Sequence, residues 1–107
     1  MSRSDQEVLL EALTHFALML NHAQGDLTDQ LVIDAVCMRL SAGVEVLNRL
    51  DPDVRHGLFD NNWPLMWGMR NRIAHGYLLV EPSIISRTLD TDIPAILKQI
   101  RGALAEG

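Results

Sequence analysis

Residues 31–50, LVIDAVCMRLSAGVEVLNRL, carry the pattern that decides the fold. Leu31, Val32, Ala35, Val36, Met38, Leu40, Ala42, Val46, Leu47 and Leu50 recur at the steps of three and four that place residues on one side of an α-helix. They fill two adjacent stripes rather than one, so this helix is expected to be covered on more than one side. Upstream, Ser4 followed by Glu7 has the form of a capping box. Leu9, Leu10, Leu13, Phe16, Ala17 and Leu20 then repeat at helical spacing and predict a first helix over 5–22. Gly25 and Asp26 end it, and Thr28 is placed to cap the next helix.

Downstream, Asp51-Pro52 closes the second helix, and residues 53–62 read as a polar connector with at most one short helical turn. Trp63-Pro64 opens a third helix, with Asn62 or Trp63 as cap and the proline in the first turn, where its missing N–H costs nothing. Leu65, Met66, Met69 and Ile73 form its apolar face, and Gly76 is the expected stop. Beyond the apolar link Leu78-Leu79-Val80, Glu81-Pro82 starts another helix through Ile84, Ile85 and Leu89. Pro94 interrupts the pattern Ile93, Ile96, Leu97, Ile100 and Leu104, which predicts either two helices or one kinked helix. Strand-like alternation of useful length is missing, as are repeats. The fold class is therefore all-α, an antiparallel bundle of four to five helices, expected to be a single domain over residues 1–107.

The chain has 107 residues, 48% hydrophobic and 21% charged, with a formal net charge of −5. That balance argues against a nucleic-acid binder working through a broad basic face, and leaves room only for a local basic site. A domain of this size sits near the lower limit for a self-sufficient core, so burial in an oligomer would help it. Cys37 is the single cysteine, which excludes a disulfide framework and a thiolate cluster and suits a reducing compartment. The N-terminal residues lack the features of a signal peptide, and no apolar run is long enough for a membrane span, so the expected location is the cytoplasm. His15, His22 and His56 have no ligand spacing to one another or to carboxylates. Neither a metal nor a cofactor is expected.

The positive island of this acidic chain is Met69-Arg70-Asn71-Arg72-Ile73-Ala74-His75-Gly76-Tyr77, within a stretch that has no carboxylate between Asp60 and Glu81. Its spacing is Arg-x4-His-x-Tyr at the end of a helix. Arginine binds phosphate through a fork of N–H groups and can stabilise the charge of a pentacovalent transition state, while histidine moves protons near neutral pH. These groups fit cleavage of an RNA phosphodiester without a metal, the RNA 2′-hydroxyl being the nucleophile. On a regular helix, however, Arg70 and His75 point about 140° apart. An irregular helix end, or a two-fold dimer pairing one protomer's Arg70 with its partner's His75, is needed to unite them.

The motif, with asparagine directly after the arginine, resembles that of HepT-type toxins in the HEPN superfamily. The resemblance extends to Trp63 and Gly68, to the helix that follows the motif, and to Asp92-Ile93-Pro94, covering about residues 34–100. It implies a homodimeric all-α ribonuclease toxin, neutralised by a minimal nucleotidyltransferase of the MntA type, with a higher oligomer allowed in the antitoxin complex. It also implies that Arg70 and His75 serve RNA cleavage and that Tyr77 accepts AMP from the antitoxin; Asn71 fits the polar residue often found beside the arginine and is expected to orient one of the two catalytic groups. Arg72 is a candidate substrate contact as well as a favourable charge for a helix C-terminus. Glu45 falls where related sequences place a glutamate in the second helix, although they often have Gly-Glu and this chain has Val44-Glu45 with Gly43 one place earlier. On the stripe of Leu31, Ala35, Met38 and Ala42 an unpaired buried carboxylate is costly, so Glu45 is expected either to pair with an arginine across the bundle or dimer or to stand partly exposed. The rival reading is a non-catalytic HEPN module that binds a nucleotide or docks a nucleotidyltransferase.

Overall fold

The computed structural model describes residues 1–76 and 80–106. Among these residues the chain is helical without strands: α1 (Arg3–His22), α2 (Gln30–Leu47), α3 (Pro52–Phe59), α4 (Asn62–Gly76), α5 (Pro82–Arg87) and α6 (Ile93–Glu106). A π-helical turn, Thr88–Asp92, joins α5 to α6 without a break, so the last two segments make one continuous helix. Tyr77, Leu78 and Leu79 lie outside the described residues.

The first helix starts two residues earlier than its apolar pattern suggests. Ser2, rather than Ser4, is the N-cap, its hydroxyl accepting from the Asp5 N–H at 3.1 Å. Its buried stripe is Leu9, Ala12, Phe16 and Met19, whereas Leu10, Ala17 and Leu20 face outward. The sequence offered more than one apolar stripe, and contact with α2 selects one. Between the helices, Asp26 accepts from the Thr28 hydroxyl at 2.7 Å and from its N–H at 2.9 Å. The Thr28 hydroxyl, and then its N–H, hold the Asp26 carboxyl below the usual carboxylate range. Thr28 is thus consumed by an Asx-type turn, and Asp29 caps α2 instead by accepting from the Leu31 N–H at 3.0 Å.

α1 packs along α2, and α4 packs on α2 as well, so two elements cover the second helix, but Leu31 and Met38 of its expected stripes stay exposed. Gly43 makes the first of these contacts close. A Cβ built there would stand 2.5 Å from Phe16 Cε1, inside the seam that buries the Phe16 ring completely. α6 contributes Ile93, Ile96, Leu97, Ile100 and Ala103 to the same core and packs against α1 and α3.

Residues 53–62 differ from the expected connector. α3 is a full helix of eight residues with Pro52 in its first turn, and it buries Phe59. Arg55 holds it to the preceding helix by donating to the carbonyls of Asn48 at 3.1 Å and Leu50 at 3.0 Å. A short polar sequence with one buried aromatic has too weak a periodicity to announce a helix that tertiary contact stabilises. At the other predicted break, Pro94 cannot donate a backbone N–H and its ring crowds the preceding turn. The helix responds by widening rather than ending: Ile93 N–H bonds to Thr88 C=O across the π turn. Thr88, a buried polar residue, satisfies its hydroxyl on Ile84 C=O at 2.9 Å.

Cys37 is 1% exposed, and burial followed by the nearby Asp34 charge pushes its thiol up to about 11. At pH 7 only about one thiol in ten thousand is then ionised. Because the thiolate is the nucleophile, native protein is expected to react with a thiol-specific reagent far more slowly than the same protein in denaturant. Equal labelling rates in the two states would contradict the buried placement.

Candidate active site on the fourth helix

α4 begins at Asn62, one residue before Trp63-Pro64, and ends at Gly76, whose φ of 156° is outside the range L side chains favour. Its inner side places Met66 and Ile73 in the core. The polar groups of the motif are distributed around the remaining surface, and each finds a different environment.

Arg70 faces α2. Its Nε donates to Glu45 Oε1 at 2.9 Å and its Nη2 donates to the same oxygen, while its Nη1 donates to Asn71 Oδ1 at 3.0 Å. Its guanidinium carbon also stands 4.9 Å from the centroid of Trp67. The Arg70 side chain is 24% exposed and that of Glu45 49%, so the pair sits at the surface with one partner more shielded than the other. Val44 packs into the core beside Glu45, which stands half-exposed on the side of α2 that meets Arg70 of α4. The carboxylate also borders a groove of about 490 Å³ with Cys37, Met38, Ala42 and Ile73.

His75 and Arg72 lie elsewhere. Both are exposed and line a second groove of about 420 Å³, together with Gly76, Val80, Glu81 and Ile84. Among the described residues, Arg70 and His75 share neither a hydrogen bond nor a groove. The divergence foreseen from helical spacing therefore persists in the folded chain. Tyr77 lies outside the described residues, so its relation to this groove is not part of the geometry.

Residues 9–102 match the ribonuclease HepT-like family. The chain belongs to that family. No curated protein and no solved structure matches it. Membership accounts for the all-α bundle as a HEPN-type domain and points to RNA as the substrate class. In this HepT-like chain no helix among the described residues is long and apolar enough to cross a membrane. Nor do the described residues gather three His, Cys, Asp or Glu side chains suited to a metal ion.

Trp67 ends an aromatic run whose middle ring is Trp63: Trp63 and Trp67 stack at 5.7 Å between centroids, and Phe59 and Trp63 at 6.2 Å. Arg55 stands 4.7 Å over Trp63, as Arg70 stands over Trp67. The i, i+4 spacing of the tryptophans and the arginine three residues after Trp67 were the signal available for this arrangement. A different arginine–histidine contact, Arg39 Nη1 to His15 Nδ1 at 3.2 Å, ties α2 to α1. There the arginine donates, so His15 accepts on Nδ1 and carries its proton on Nε2.

Proposed function

We propose that this chain is a metal-independent endoribonuclease and the toxin of a toxin–antitoxin pair, a single cytoplasmic domain that acts as a homodimer. The observation that carries the reading is the hydrogen-bond set of Arg70 in a chain of this family. Glu45 and Asn71 hold the guanidinium and leave one N–H on each terminal nitrogen for a phosphate oxygen. In cleavage, the RNA 2′-oxygen bonds to phosphorus as the bond to the 5′-oxygen breaks, giving a cyclic phosphate and a 5′-hydroxyl. His75 handles the protons of that exchange, Arg70 stabilises the extra negative charge, Asn71 orients Arg70, and Arg72 attracts the flanking backbone.

A two-fold dimer supplies what one protomer lacks, an Arg70 and a His75 facing one phosphate. Leu31 at 77% exposure and Met38 at 59% support it, because they lie one heptad apart on the α2 stripe that leads to Glu45. A second copy covering that stripe would bring its own fourth helix toward this one.

Purified protein is expected to cut single-stranded RNA with EDTA present, leaving cyclic phosphate and 5′-hydroxyl ends. Intact RNA after incubation with active, folded protein would refute the reading. Control is assigned to AMP transfer onto Tyr77 by an MntA-type nucleotidyltransferase. The added phosphates would compete with RNA for Arg70 and Arg72. Incubation with that enzyme and ATP is expected to raise the intact mass by whole AMP groups, and a gain that persists in Tyr77→Phe would exclude this acceptor. One observation favours the non-catalytic alternative: Glu45 already neutralises Arg70, as it would in a module that only docks a nucleotide or a nucleotidyltransferase. The EDTA assay separates the two.

A further inference from the structure

We propose that Trp67 is a positioning residue for Arg70, its indole ring carrying the guanidinium so that the arginine stands aimed before substrate arrives. The inference rests on the ribonuclease reading for its consequence in catalysis, but its geometry is independent of that reading. Arginine is a flexible side chain, and a phosphate contact made by a freely rotating guanidinium loses most of its advantage to the cost of ordering it. Here three groups order it in advance. Glu45 takes the edge formed by Nε and Nη2, Asn71 takes Nη1, and the Trp67 ring lies against the planar cation with 4.9 Å between Cζ and centroid. Hydrogen bonds to two oxygens in the guanidinium plane leave tilt out of that plane poorly restrained. An aromatic ring beneath the cation restrains it, because the ring quadrupole favours the charge over its centre.

The platform is itself anchored. Trp67 stacks on Trp63, one turn earlier in α4, and Trp63 stacks on Phe59, which is 1% exposed. Arg55 covers Trp63 while donating to two carbonyls at the end of α2. Orientation is thus transmitted from the core to the guanidinium through ring contacts, while Glu45 fixes the same cation from α2. A ring serving only to fill space between α2 and α4 would not need a cation on it.

The test compares Trp67→Leu with Trp67→Phe in the full chain, since both keep apolar bulk and only phenylalanine keeps a ring. Trp67→Leu is expected to lower kcat for RNA cleavage about tenfold, and Trp67→Phe to recover most of it, because the arginine contact is partly shielded from water. In isotope-edited NMR, the Arg70 Nε–H resonance is expected to shift in Trp67→Leu, where the ring current is lost, and to move little in Trp67→Phe. A resonance unmoved by Trp67→Leu, or equal kcat values for the two variants, would overturn the inference. If wild-type protein cuts no RNA, the ribonuclease reading falls, and the resonance still decides whether Trp67 holds the guanidinium.

Discussion

His75→Ala and Arg70→Ala are each expected to lower RNA cleavage by at least about a hundredfold, the usual scale for losing a proton-transfer group or a donor to developing charge. The two variants should differ in stability. His75 is exposed, and removing an exposed side chain without partners in the core changes stability by about 0.5 kcal/mol or less. Arg70→Ala strips Glu45 of its partner and Trp67 of its cation, which is expected to cost about 1 kcal/mol, since both groups are near the surface. Arg70→Lys should not rescue cleavage, because an ammonium cannot hold Glu45, Asn71 and a phosphate with one planar fork. Circular dichroism and thermal melts would show that the bundle survives in all three. Cleavage by His75→Ala at the wild-type rate would remove histidine from the mechanism.

The separation of Arg70 from His75 adds a sharper test. If one protomer's arginine works with its partner's histidine, a mixed dimer of the two inactive variants contains one intact site. Random exchange then restores about a quarter of the wild-type sites, from two inactive preparations. A mixture as inactive as its components, with subunit exchange shown independently, would place the site within one chain.

The largest stability effect is expected at Phe16. Its ring is fully buried and fills the seam where Gly43 lets α2 approach α1, so Phe16→Ala should cost about 3–5 kcal/mol in urea or thermal unfolding, transfer and cavity terms together. Gly43→Ala disturbs the same seam by overfilling it rather than emptying it. It adds a methyl where the ring already stands, about 1–3 kcal/mol of overpacking, against which alanine's better helix propensity returns up to about 1 kcal/mol. The net effect of Gly43→Ala against Phe16 is therefore expected to be a loss of about 1–2 kcal/mol. Combined with Phe16→Leu it should cost less than the sum of the two single changes, because the shorter side chain vacates the space the methyl needs. Strict additivity would show that the two residues do not share that space.

Gly43, Val44 and Glu45 take three different roles at this seam. Gly43 is where the backbone must approach Phe16, and Val44 enters the core, which leaves Glu45 facing α4. Spacing within one helix could place Glu45 on a stripe and leave it either paired or partly exposed. It could not name Arg70, twenty-five residues away, because that choice depends on how α4 lies across α2.

What the sequence by itself determined is what local spacing encodes. The first, second and fourth helices, the stop at Gly76 and the irregularity at Pro94 are all legible there, because apolar periodicity, caps, glycine and proline act over three or four residues. The Arg-x4-His-x-Tyr spacing and the divergence of Arg70 from His75 are legible for the same reason. Tertiary structure alone decided which stripe of α1 is buried, that residues 52–59 form α3 around Phe59, and that Asp29 rather than Thr28 caps α2. It alone joined Glu45, Asn71 and Trp67 around one guanidinium. The physical reason is common to these cases. Several local solutions have nearly equal free energy, and contacts between residues distant in sequence choose among them.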